Sequence, residues 1–219
     1  MPLIFHEKTN TSNDSPRREL GLWRIEEPEN ILRESIELHP EEIQQLDEIK
    51  GEGRRREFLA ARNLLHLMSG RKDRGALIKD EFGKPHLEHS PLQISISHTE
   101  NISAAVAHPY ACGIDVQVFV NKIARLAPRF MNEAELSHLT DANRLIFQHL
   151  IWGAKEAMYK AYGRREIDFR DHLFVELEEI PLERGTTRGY LKKDELEKIY
   201  DLDYRIFDGN YMLVVAVEV

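Results

Sequence analysis

The chain has 219 residues, enough for one large domain or two small ones with a sizeable core. With 42% hydrophobic and 31% charged residues it reads as globular rather than disordered, and a formal net charge of −8 argues against a general nucleic-acid binder. A single cysteine, Cys112, excludes an internal disulfide framework and suits a reducing cytoplasm.

Residues 1–19 are polar and irregular in pattern, which predicts an arm outside the fold. The start lacks the long apolar core of a signal peptide. The apolar run at 212–217 is too short to span a bilayer, so the expected location is the cytoplasm, with no membrane partner. A first strand pattern covers 20–25. Residues 40–49 and 54–69 read as helices, the second with Phe58, Leu59, Leu65 and Met68 as its apolar side. From Lys50 to Arg74 there are eight Lys/Arg and three acids. Such a run admits two readings, a solvated helix face or a site for phosphates or an acidic partner.

Gly83-Lys84-Pro85 marks a tight connection. Strand patterns follow at 93–98, 103–108 and 111–118. Asn132 with Glu135 three residues on predicts a capping box, and a long helix is expected over 142–162. Strands return at 173–177, 204–207 and 211–219, the last two joined by the turn signal Asp208-Gly209-Asn210. Strands and helices in two successive groups make the expected fold class α+β.

Three stretches carry candidate chemistry. In QISISHT, 93–99, alternation puts Ile94 and Ile96 on one face and Ser95 and Ser97 on the other, and His98 ends the strand, where ligand-binding residues often sit. A lone histidine there is more often structural. In CGIDVQVF, 112–119, Asp115 and Gln117 share the face opposite Ile114, Val116 and Val118. A half-buried strand carries polar groups on its second face in any case. Yet two oxygen-bearing side chains side by side suit a hard cation such as Mg²⁺, which takes one or two carboxylates plus substrate phosphates. In WGAKEAMYKAYG, 152–163, the residues Trp152, Glu156 and Lys160 form a stripe beside the apolar stripe of Ile151, Ala154, Met158 and Ala161, and Gly163 predicts the helix stop. Taken alone, Glu156 and Lys160 read as an exposed i,i+4 pair worth about 0.2–0.5 kcal/mol.

In order, FGKPHL, ISISHT, CGIDVQ and WGAKEAMYKAYG resemble the motifs of the 4′-phosphopantetheinyl transferase superfamily, Sfp-type, with REFLAARNLL from Arg56 as its upstream Arg-rich helix. The resemblance covers 20–219. It implies two similar α/β halves related by a pseudo-twofold, each a small, mainly antiparallel sheet packed with helices. The halves would be 20–112 and 113–219, with coenzyme A in the cleft between them and a monomer as the working form. The implied activity is that of a holo-acyl-carrier-protein synthase. It moves 4′-phosphopantetheine from coenzyme A, the substrate, to a serine of an apo acyl or peptidyl carrier protein and releases adenosine 3′,5′-bisphosphate, a reaction of fatty-acid, polyketide or peptide synthesis.

The resemblance assigns Asp115, Gln117 and Glu156 to Mg²⁺ or Mn²⁺, and Glu156 to the base, with Lys160 and Asp115 beside it. It assigns Lys155 and Lys160 to the phosphates, and Arg56, Arg62, Lys84, Ser97 and His98 to the coenzyme A nucleotide. Gln117 departs from the family pattern, in which many members carry Glu, and lowers the charge offered to the metal. Two other readings fit the same residues: a catalytically silent binder of coenzyme A or carrier protein, and a Mg²⁺-dependent phosphohydrolase using Asp115 and Glu156.

Overall fold

The computed structural model describes residues 3–9, 18–178 and 180–219. The chain divides into two compact units, Met1–Pro109 and Tyr110–Val219. The sequence had suggested a division at 112/113, which falls inside a strand. Both units pack helices on antiparallel sheets, the expected α+β class.

The first unit contains β1 (Leu3–Thr9), β2 (Arg18–Arg24), α1 (Glu29–Glu34), α2 (Pro40–Glu48), α3 (Glu52–Ser69), β3 (Leu77–Lys79), β4 (Pro85–Leu87), β5 (Gln93–Thr99) and β6 (Ile102–His108). Its main sheet has the order β1-β2-β6-β5, and β3 pairs with β4. The inward side chains of α3, Leu59, Leu64, Leu65 and Met68, meet Trp23, Leu32, Leu46 and Ala105 in one core. Burying an aliphatic side chain of this size contributes about 1.5–3 kcal/mol.

Residues 3–9 correct the expectation of an irregular arm. They form β1, paired antiparallel with β2 from Phe5↔Leu22 to Thr9↔Arg18. Its apolar residues, Leu3, Ile4 and Phe5, are consecutive and do not alternate with polar ones, and the backbone ladder to β2 supplies what the pattern lacks. The rest of the expected arm, 1–2 and 10–17, lies outside the described residues.

The second unit contains β7 (Cys112–Val118), α4 (Ile123–Phe130), α5 (Glu133–Ser137), α6 (Arg144–Tyr162), α7 (Phe169–His172), β8 (Leu173–Val175), β9 (Arg184–Lys193), β10 (Leu196–Phe207) and β11 (Tyr211–Glu218). Its sheet order is β7-β11-β10-β9-β8. The apolar stripe of α6, with Ile151, Ala154, Met158 and Ala161, packs against Leu191, Tyr200, Leu202, Val214 and Ala216. Gly163 ends α6 in the left-handed conformation (φ 69°), the stop its position predicts. Asn132 and Glu135 cap α5 reciprocally, as their spacing predicts.

Strand β9 has no counterpart in the sequence reading, and β10 begins well before the expected 204. In β9, RGTTRGYLKK, only Tyr190 and Leu191 are large and apolar, so no hydrophobic alternation marks it. A ladder with β10 from Leu196↔Lys193 to Arg205↔Arg184 holds it instead.

Candidate active site

In the second unit, α6 lies almost on the backbone of β7, and two glycines permit this. A Cβ on Gly113 of β7 would stand 1.8 Å from the Ala157 carbonyl oxygen. A Cβ on Gly153 of α6 would stand 2.8 Å from Gln117 Nε2, 2.9 Å from Val214 Cγ2 and 3.6 Å from Asp115 Oδ2. A larger residue at Gly113 would push the helix off the strand, and one at Gly153 would displace the side chains it meets.

This close approach brings Asp115 of β7 to the Glu156–Lys160 stripe of α6. Lys160 Nζ donates to Asp115 Oδ1 at 2.9 Å and to the Ile114 carbonyl at 3.0 Å. Asp115 is nearly buried, while Glu156 and Lys160 keep partial access to solvent. Burial pushes the Glu156 carboxyl above the usual range, the negative charge of Asp115 adds to this, and Lys160 opposes it. Two carboxylates with a lysine beside them, partly shielded from water, can bind a cation, accept a proton and face a polyanion.

Gln117 does not offer an oxygen to this pair. Its Oε1 lies 2.7 Å from Nδ1 of the buried His149, and its Nε2 donates to the His149 carbonyl at 3.0 Å and to Asp115 Oδ2 at 3.3 Å. The amide therefore turns its N–H, and not the oxygen expected of a metal ligand, toward Asp115. Among the described residues no group of three or more His, Cys, Asp or Glu side chains could by itself hold a metal ion. The carboxylates of Asp115 and Glu156 remain, and that donor set fits a hard cation completed by substrate phosphates.

Lys155, expected at the phosphates, is placed in the core. It lies four residues after Ile151 and three before Met158, within the buried stripe of α6, and is fully buried. Its ammonium donates to Glu135 Oε2 and the Phe130 carbonyl, each at 2.7 Å, and to the Phe169 carbonyl at 2.9 Å. Glu135 also accepts from the backbone of Asn132 and Val175. The pair ties the end of α4, the starts of α5 and α7 and the end of β8 to α6, and it uses the ammonium's donors inside the fold.

The first unit offers a separate cavity of about 460 Å³, lined by Arg54, Phe58, Lys79, Pro85, Ile96 and His98 among others. Arg54 Nη1 lies 3.3 Å from His98 Nε2, which lies 3.3 Å from Glu57 Oε2. The expected nucleotide-binding residues fare unevenly against this cavity. His98 lines it. Ser97 is buried and, by strand alternation, points away from the face that Ile96 and His98 present.

Arg56 donates to the carbonyls of Glu27 and Ile25 at 2.9 and 2.8 Å, bracing the segment after β2. Arg62 borders the cavity, but its donors go to Glu42, the Phe58 carbonyl and Gln45, and burial pulls its guanidinium down to about 10. Lys84 sits in the β3–β4 turn that Asp80 organises, and the turn contributes Lys79 and Pro85 to the cavity wall rather than Lys84. Sequence reasoning passed over Arg54, which falls within the basic run, and the signal available was its place four residues before Phe58 on one helix face.

No match was found among curated proteins. No helix among the described residues is long and apolar enough to cross a membrane. Residues 111–216, almost the whole second unit, match the family model of the 4′-phosphopantetheinyl transferase superfamily, a similarity that supports phosphopantetheine transfer as the general chemistry.

Proposed function

We propose that the protein is an Sfp-type transferase that moves 4′-phosphopantetheine from coenzyme A to the serine hydroxyl of an apo acyl or peptidyl carrier protein. The observation that carries the reading is the meeting of Asp115, Glu156 and Lys160, within the matched residues, where α6 crosses β7.

In this reading the serine hydroxyl, a poor nucleophile, loses its proton to Glu156. A carboxylate held above its usual range by burial and by Asp115 is the stronger base, and positioned general-base catalysis contributes about 10²–10⁴-fold. The serine oxygen bonds to the phosphorus next to pantetheine. The bond from that phosphorus to the bridging oxygen breaks, and adenosine 3′,5′-bisphosphate leaves with the oxygen. Asp115 and Glu156 would hold a divalent cation, which when bound supplies neutralisation of the pyrophosphate charge. Lys160, fixed against Asp115, keeps an ammonium beside the same charge. In the first unit, Arg54 and His98 are the residues proposed for the 3′-phosphate, in place of Arg56 and Arg62.

The test is mass spectrometry of a panel of apo carrier proteins after incubation with coenzyme A and Mg²⁺. A gain of one phosphopantetheine on serine is expected, falling at least about 100-fold in Asp115→Ala and Glu156→Ala. Release of inorganic phosphate with no carrier modification would replace this reading with a phosphohydrolase. Full transfer by either variant would remove the assigned roles.

A further inference from the structure

Residue 117 sits two positions from Asp115 on the same face of β7, yet it is an amide, and the hydrogen bonds around it determine which of its two ends faces the carboxylate. One end lies 3.0 Å from the His149 carbonyl and 3.3 Å from Asp115 Oδ2. Both neighbours are acceptors, so this end must be the NH₂ group. The other end, Oε1, is then 2.7 Å from His149 Nδ1 and requires a proton there. With Nδ1 protonated, Nε2 of the neutral ring is bare and accepts from the Val120 backbone N–H at 3.0 Å. The alternative, an Nε2–H directed at the Val120 carbonyl at 3.3 Å, would leave Nδ1 bare against Gln117 Oε1, acceptor against acceptor.

His149 is 1% exposed, and its ring meets Phe119 edge-on with centroids 4.9 Å apart, so packing holds the imidazole in this plane. The space for the amide exists because Gly153 has no side chain, since a Cβ there would stand 2.8 Å from Gln117 Nε2. Asp115 consequently receives Lys160 on Oδ1 and Gln117 on Oδ2.

We infer that His149 is a positioning residue for the carboxylate pair. Through Gln117 it turns an N–H rather than an oxygen toward Asp115, which makes residue 117 a donor behind the metal site instead of one of its ligands. The inference rests on the proposed transferase reading only in naming the metal site; the hydrogen-bond chain stands without it. Partners that orient a ligating carboxylate from behind set metal affinity by about 10–100-fold.

The experiment measures Mn²⁺ affinity by calorimetry at saturating coenzyme A, with wild type, Gln117→Met, His149→Leu, His149→Asn, the double variant Gln117→Met/His149→Leu and Gln117→Glu. Each of Gln117→Met and His149→Leu is expected to weaken Mn²⁺ about 10-fold, and the double variant no more than either single one, because they break one chain. His149→Asn, whose amide N–H can stand where Nδ1–H stood, should recover most of the loss. Nitrogen NMR of the wild type without metal should show His149 protonated at Nδ1. Gln117 is half-buried, so the Gln117→Met arm stands even if His149→Leu does not fold.

Unchanged Mn²⁺ affinity in Gln117→Met overturns the inference. A tenfold tightening in Gln117→Glu does so too, by showing that residue 117 reaches the metal directly, and so does a ring protonated at Nε2. Failure of the wild type to transfer counts against the proposed function. An active wild type whose Mn²⁺ affinity ignores residue 117 counts against this inference alone.

Discussion

Lys155 and Glu156 are consecutive on α6, yet Lys155 Nζ ends 2.7 Å from Glu135 in the core while Glu156 stands partly open beside Asp115. A turn of 100° between neighbours in a helix separates an element of the fold from a candidate base. Lys155→Met leaves the Glu135 carboxylate buried without its cation, an arrangement that costs about 3–5 kcal/mol. Urea unfolding should show that loss. In whatever fraction stays folded, the Michaelis constant for coenzyme A should be near that of wild type. A stable Lys155→Met protein with a raised constant would return Lys155 to the phosphates.

The cavity of the first unit predicts which arginine meets a phosphate. Arg54→Ala and His98→Ala should each weaken coenzyme A binding more than dephospho-coenzyme A binding, because a charge-assisted bond to the 3′-phosphate is lost. Arg56→Ala should weaken both equally or neither, since its donors go to the carbonyls of Ile25 and Glu27. Calorimetry with the two ligands decides between the arginines. A selective loss in Arg56→Ala would reverse the assignment.

Gly113 and Gly153 should respond differently to alanine. At Gly113 the added carbon meets the Ala157 carbonyl and the Ala161 backbone nitrogen, neither of which can swing aside, so overpacking of about 1–3 kcal/mol or more is expected. At Gly153 it meets the Gln117 amide, the end of a flexible side chain that can swing aside, and one methyl of buried Val214, which must give by a few tenths of an ångström, while alanine in mid-helix returns about 1 kcal/mol of propensity. Gly153→Ala should therefore stay near wild-type stability while losing transfer activity, because the displaced amide is the one that donates to Asp115. Thermal melts set beside turnover test this, and full activity in Gly153→Ala would detach Gln117 from the site.

Glu42 supports the first unit and predicts its behaviour in acid. Fully buried, it accepts from Arg62, from both terminal nitrogens of Arg74, and from the backbone of His39 and Leu77. Burial alone would raise its carboxyl, but the Arg74 hydrogen bonds and the backbone donors outweigh burial and leave it below the usual 4.5. A lowered folded value means that Glu42 contributes stability above about 4.5 and loses it as the pH falls through the folded value. Wild type should therefore lose stability below pH 4.5 more steeply than Glu42→Gln, which starts less stable at neutral pH. Parallel acid limbs in denaturant titrations would contradict this.

The sequence by itself determined what depends on neighbours along the chain. The stop at Gly163, the capping box of Asn132 and Glu135 and the apolar stripe of α6 follow from local spacing, and the same spacing put Glu156 and Lys160 on one stripe. The motif order in the second half was legible enough to name the superfamily that residues 111–216 match. Strand alternation correctly placed Asp115 and Gln117 on one face, but could not say that Gln117 presents an N–H, because that depends on His149, 32 residues away.

Only tertiary structure decided which cations meet solvent and which meet buried carboxylates. Arg62 and Arg74 look like any basic residues of the 50–74 run until α2 brings Glu42 between them. Lys155 looks like a partner of phosphate until α5 brings Glu135 to it. A long cationic side chain reads the same on a wet helix face and inside a core, and its role follows from the acceptors folding places within about 3 Å of it.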